Sequence, residues 1–389
     1  MSILDVKKLE ELRSDDLHSL IDNKVQEDRR LEFKSQLPNN SDRDKKEFLA
    51  DVSSFANAAG GHLVYGIEEE HGIATALPGV IAENVDAVLL RLENILRDGI
   101  QPRITGVRLQ TVEVDSENIA IVIQIPRSWA MPHMVTFSDH SKFYSRNSRG
   151  KYALDVTELR AAFASSQSAL EYIRKFRNER LAKIDSGETP VLLSDSPKIV
   201  LHMVPVSAID RSFQADIDAT IKRGVLLRPL AANGISSRFN FDGFLTYFRL
   251  SSSIVSYAQF FRNGIIETVD ASLLSGQGFG KQIPSVLCER EILDAVSSYL
   301  ETQKIAGISP PIVIFASLLH VKGYEMGTHL KHPRLGHPID RDVLIVPEVL
   351  VEELNANVQT TMKPVFDAIW NAAGWPGCGN FKDGIWTGK

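Results

Sequence analysis

Between Arg30 and Leu37 apolar and polar positions alternate. Leu31, Phe33 and Leu37 fall on one side and Glu32, Lys34 and Gln36 on the other, the period of a half-buried strand. Pro38 to Ser41 is a turn, and Ser41 followed three residues later by Asp44 resembles a capping box, so a helix should start there. Phe48, Leu49, Val52, Phe55, Ala56 and Ala59 make its apolar stripe, and Gly60 and Gly61 stop it. A compact strand, His62 to Ile67, follows directly, then an acidic turn, Glu68 to Gly72. The strand, the capped helix and the second strand form one unit.

Short helical segments are expected over residues 5–25. Val85, Val88, Leu89, Leu92, Ile95 and Leu96 mark another amphipathic helix, ended by Gly99, and the runs 104–112 and 118–125 read as a hairpin. A short strand over 142–146 leads to a helix from Val156 to about Phe163, then to a connecting helix over 165–184. Ser186 to Pro190 is small, polar and proline-terminated, a natural boundary. Beyond it the pattern predicts strands near 198–206, 239–250, 255–270, 311–321 and 341–349, with helices near 288–302 and 361–373. The expectation is an α+β protein: a mixed domain over 1–164, a connecting helix and linker over 165–189, and a second α+β domain over 190–389. No internal repeat is visible.

With 389 residues, 43% hydrophobic and 24% charged, the chain has globular composition and can bury two cores. No apolar run is long enough to span a bilayer, and the first twenty residues are too charged for a signal peptide, so a cytoplasmic location is expected. Cys288 and Cys378 stand far apart, which argues against a thiolate zinc site and fits a reducing compartment. The net charge of −6 means that any surface for nucleic acid must be local. Two basic clusters offer themselves, Lys142 to Lys151 and Tyr172 to Lys183, although each taken alone reads first as a plain solvated face.

Periodicity alone makes Glu32 and Lys34 the wet side of a strand. Taken together, though, Glu27 and Glu32 at a spacing of five, Phe33-Lys34, the helix ending Ser53-Ser-Phe-Ala-Asn-Ala-Ala-Gly-Gly61, the strand from His62 and the Phe143-Tyr-Ser-Arg146 segment resemble the Schlafen AlbA-type domain over residues 15–163. The resemblance implies nucleic-acid binding. In nuclease members it implies a three-carboxylate site holding a divalent metal, Mg²⁺ or Mn²⁺; carried over by position, the acids are Glu27, Glu32 and Glu69, with Glu68 and Glu70 as alternatives to the last. Lys34, Lys142, Tyr144, Arg146 and Arg149 are the candidates for phosphate or base contacts. Asn57 is expected to hold the helix-to-strand turn.

Three decoys fall away. Ser275 to Gln282 is glycine-rich but lacks the spacing of a phosphate loop, His329, His332 and His337 have no nearby acid or cysteine, and no serine sits in a nucleophile elbow. The function that the Schlafen resemblance implies is that of a nucleic-acid-binding protein that cleaves structured RNA such as tRNA with a metal, in defence or stress. Its rival is a non-catalytic DNA-binding regulator, and a plain scaffold comes third. The second domain would recognise substrate, form a homodimer or sense a signal.

Overall fold

A computed structural model describes residues 3–82, 84–139, 141–210, 213–275, 280–328, 336–354 and 356–388. Backbone contacts divide the chain into two compact units, Met1–Ser168 and Ala169–Lys389. The division falls inside one continuous helix, Val156–Asp185, which merges the two helices expected on either side of residue 164. The glycine-rich stretch around 276–279 and His329 and His332 lie outside the described residues.

The first unit runs α1 (Ile3–Val6), α2 (Ser14–Asp22), β1 (Leu31–Lys34), α3 (Asp42–Ala56), β2 (Gly61–Tyr65), β3 (Glu68–Glu70), β4 (Ile73–Ala76), β5 (Val80–Ile81), α4 (Val85–Gly99), β6 (Ile100–Gln101), β7 (Arg108–Glu113), β8 (Asn118–Ile125), β9 (Met134–Val135), β10 (Lys142–Asn147), β11 (Gly150–Ala153) and α5 (Val156–Asp185). Strands β1 and β2 pair in parallel across the α3 crossover, β8 runs antiparallel to β2, and β7 closes the expected hairpin with β8. In a second sheet the order is β11-β10-β9-β6. The alternation in β1 is as the sequence implies: Leu31 and Phe33 are buried while Glu32 and Lys34 stay half-buried.

Helix α3 starts where Ser41 accepts a hydrogen bond from the Asp44 N–H. It ends at Asn57, whose side chain donates to the carbonyls of His133 and Tyr144 and accepts from the His133 N–H, bonds that tie the helix end to the two central strands of the second sheet, β9 and β10. The chain then turns at once. Gly60 has φ +66°, and Gly61 has φ +151° with the Arg30 carbonyl where a Cβ would stand, so only glycine lets β2 lie this close to β1.

The second unit contains β12 (Lys198–Pro205), α6 (Ile217–Lys222), β13 (Ser236–Phe239), β14 (Gly243–Leu250), β15 (Ser253–Phe261), β16 (Ile266–Asp270), β17 (Gln282–Pro284), α7 (Ser285–Ile305), β18 (Ile312–Leu319), β19 (Glu325–Gly327), β20 (Val343–Ile345), β21 (Val349–Val351), α8 (Val358–Ala372), β22 (Phe381–Lys382) and β23 (Ile385–Trp386). An antiparallel sheet, β13-β14-β15-β16-β12-β18-β20, carries its core. Ile199, Leu201 and Met203 of β12 pack in one cluster with α7 and α8, while Val200 faces Leu181 and Ile184 of α5. Burial on both sides explains why β12 and β18 are apolar apart from Lys198, His202 and Ser317.

Two buried carboxylates anchor this unit. Glu267 accepts two bonds of 2.7 Å from Arg180, one from Tyr257 and one from His202; burial pushes its pKa up, but Arg180 and His202 outweigh that and hold it at about 2. Glu289 accepts from Trp370, Cys378, Asn380 and Trp386, which pins the C-terminal segment onto α7. The basic run from Tyr172 is accounted for in the same way. Arg174 pairs with Glu348, Arg177 is buried over the Phe315 ring and Arg180 holds Glu267, so these guanidinium groups are bound to the unit itself.

Candidate functional site

Strand β1 delivers Glu32 and Lys34 to the same side of the first sheet, where β10 and α3 meet them. The Lys34 Nζ lies 2.7 Å from Glu32 Oε1, and the Arg146 Nη1 lies 2.9 Å from Glu32 Oε2, so each carboxylate oxygen faces a cation. Arg146 is buried, with its guanidinium 3.6 Å from the centre of the Phe55 ring and Nη2 3.5 Å from the Asp28 carbonyl. Its Nε and Nη1 make no hydrogen bond of good geometry, so the contact with Glu32 is an off-axis ion pair.

Behind this pair lies a second one. Asp51 of α3 is 1% exposed, and Lys151 of β11 bonds both to it and to Glu47 one turn earlier. Lys151 stands opposite Arg146 in the β10–β11 register, which brings both cations to the same helix. Burial, and then the Glu32 charge, push the Asp51 pKa up to about 6 against the pull of Lys151 and Lys34. Burial also pushes Glu32 up, but Lys34 and Arg146 outweigh it and hold the carboxyl below the usual range. Lys34 is raised despite burial because Asp51, Glu32 and Glu47 surround it.

Glu27 and Glu69 meet around Gly72. The Glu27 N–H donates to the Gly72 carbonyl, the Gly72 N–H donates to the Glu69 carboxylate, and the Glu27 Oε1 accepts from the Phe33 N–H at 2.7 Å. Residues 68–70 are not a turn but a strand, β3, paired with β4 through a tight bend at His71 and Gly72. Burial raises the Glu27 pKa, and the charges of Glu32 and Glu69 add to the rise.

The three acids thus come within electrostatic range of one another, but they do not form a ligand set. Both Glu32 oxygens face cations, Glu27 and Glu69 are each engaged by a backbone N–H, and among the described residues no three His, Cys, Asp or Glu side chains are arranged to hold a metal ion. The donors present do not fit Mg²⁺ or Mn²⁺, which need several free oxygens in near-octahedral array or a looser shell.

The expected phosphate contacts fall in different surroundings. Arg146 is sealed beneath Glu32, and Tyr144 shares its inward face, packing on the core of α3. A phosphate approaching Lys34 would also meet Glu27, Glu32, Glu47 and Asp51. Lys142 and Arg149 are exposed, one at the start of β10 and the other in the turn that follows it. Sequence reasoning missed Glu47 and Asp51, and took Lys151 only as the end of a basic cluster. Asp51 was detectable: it lies three residues after Phe48 and four before Phe55, a carboxylate on a buried stripe that requires a partner.

No curated protein matches the chain. Among solved structures, the DIP2311 protein of Corynebacterium diphtheriae matches with a TM-score of 0.24 and 15% identity over 36% of this chain and 29% of that one. The chain therefore spans less than a third of that protein's length. Residues 27–155 match the family model described as Schlafen, AlbA_2; the N-terminal unit carries a domain of that family, and the family suggests nucleic-acid binding.

Proposed function

We propose that the N-terminal unit binds nucleic acid, RNA or DNA, by contacts to the phosphate backbone and without a bound metal ion. The observation that supports it over metal-dependent hydrolysis is the pairing of Glu32 with Lys34 and Arg146. A carboxylate neutralised by two cations has little charge left with which to fix a divalent ion, and hydrolysis of that type depends on a fixed ion. Lys142 and Arg149, which stand outside the carboxylate network, are suited to phosphate oxygens; such contacts position a strand without reading its sequence. Affinity should then fall steeply as salt rises.

A second reading, an endoribonuclease acting on structured RNA such as tRNA, draws support from Glu27. A half-buried carboxyl with a raised pKa beside two other acids is suited to proton transfer. In this reading Glu27 takes the proton of a 2′-hydroxyl, whose oxygen attacks the adjacent phosphorus to form a 2′,3′-cyclic phosphate and expels the 5′-oxygen, which leaves as a hydroxyl with a proton from water, so the reaction is confined to RNA. The test is incubation of the protein with tRNA and with duplex DNA, in Mn²⁺ or EDTA, beside Glu27→Gln and Glu32→Ala. Intact polynucleotides bound in EDTA are the expected result. Cleavage of tRNA in EDTA that Glu27→Gln abolishes supports the second reading, and cleavage that needs both Mn²⁺ and Glu32 overturns the first.

A further inference from the structure

The cations of the carboxylate network are paired, whereas Lys45 and Arg91 are among the cations of the first unit that have no carboxylate partner among the described residues. Between the start of α3 and the outer face of α4 lies an open cavity of about 390 Å³, a volume within the ~300–1,000 Å³ of small-molecule pockets. Lys45, Arg91, Asn40, Asn94, Phe137 and Leu90 line it. The Lys45 ammonium lies 5.7 Å from the centre of the Phe137 ring and has no carboxylate partner among the described residues. Arg91 spends Nη1 on the Pro38 carbonyl at 2.8 Å, which fixes the guanidinium at the cavity wall and leaves its charge unpaired among the described residues. The acid in the lining, Asp98, is already paired with Arg97 at 3.1 Å.

The pocket therefore joins two uncompensated cations to an aromatic ring, an exposed leucine and two side-chain amides. Each part has a distinct use. Lysine and arginine recognise phosphate, an aromatic or aliphatic face receives a planar base, and carboxamides donate to and accept from base edges. The geometry points to a phosphorylated nucleoside as the ligand of this α3–α4 pocket, either a free nucleotide or one nucleotide of a single strand. The assignment deepens the nucleic-acid reading and rests on it for the identity of the ligand, yet it uses residues apart from Glu27, Glu32 and the β10–β11 hairpin. Phe137 is held at the rim because Ser138 donates to Asp42 in the first turn of α3.

The test is a calorimetric titration with AMP and an anisotropy titration with a labelled twelve-nucleotide single strand. Both use the full chain, Lys45→Gln, and Ala87→Trp, which fills the pocket from an exposed position of α4. Expected is saturable binding of AMP and competition between AMP and the strand, with each variant weakening binding about tenfold or more at unchanged thermal stability. A strand that binds wild type and both variants alike overturns the pocket and leaves the backbone-binding reading standing. AMP binding lost in the variants, with no strand bound by any form, keeps the pocket as a free-nucleotide site and removes the backbone reading. AMP that fails to bind, or binds both variants as it binds wild type, overturns the assignment.

Discussion

Replacing Asp51 with asparagine tests whether the charge network carries the energetics its geometry implies. The carboxyl is 1% exposed, and its pKa is raised from 3.8 to about 6, chiefly by burial and then by Glu32. A group whose folded pKa is raised favours the folded state while protonated, and that advantage is lost as pH climbs from about 4 through about 6. At 1.36 kcal/mol per pH unit the full loss is about 3 kcal/mol, of which about 2 kcal/mol falls between pH 4.5 and 7.5. Asparagine keeps the shape and an acceptor for Lys151 but cannot ionise. Hydrogen exchange of the α3 segment, compared between wild type and Asp51→Asn at both pH values, cancels the intrinsic exchange rates. The variant should gain about 2 kcal/mol relative to wild type on going to pH 7.5. A difference that is flat with pH, or one that favours wild type as pH rises, would refute the reasoning.

Other outcomes follow from the same packing. Arg146→Ala strips one cation from Glu32 and leaves the Phe55 ring uncovered, so it should destabilise the N-terminal unit by roughly 3–5 kcal/mol, read from loss of exchange protection in α3 and β1. The depressed pKa of Glu267 stabilises the C-terminal unit above the ordinary 4.5, and that stability is lost as pH falls toward about 2. Acid unfolding followed by tryptophan fluorescence should therefore become about 3 kcal/mol less pH-dependent in Glu267→Gln. Glu289→Gln turns an N–H against one pair of the donors it now accepts from, so it should release the C-terminal segment at a cost of roughly 2 kcal/mol or more and speed tryptic cutting at the exposed Lys382.

Much of the fold was legible from periodicity because elements such as β1, α3 and α4 bury one face. Leu31 and Phe33 announce β1, Ser41 and Asp44 announce the start of α3, and Gly60 and Gly61 its end. What the pattern could not give was pairing across distance. Nothing local places Arg146 under Glu32, 114 positions earlier, or Lys151 on Asp51, because side chains from β1, α3 and β10–β11 meet only once the two sheets have formed. The family-shaped motif drew attention to Glu27, Glu32 and Glu69, and in sequence their charges look free. In the folded chain Glu32 is paired, and Glu69 caps the bend at Gly72. The arginines of the helical stretch from Tyr172 also look free in sequence, until Glu348, Phe315 and Glu267 come up against them.

The most direct measurement is the anisotropy of a labelled RNA hairpin titrated with the protein in EDTA over a series of potassium chloride concentrations, repeated with Mn²⁺. Saturable binding in EDTA, weakening as salt rises and unchanged by Mn²⁺, is the expected result. Binding that occurs only with Mn²⁺ and vanishes in Glu32→Gln would contradict a metal-free grip on the phosphate backbone.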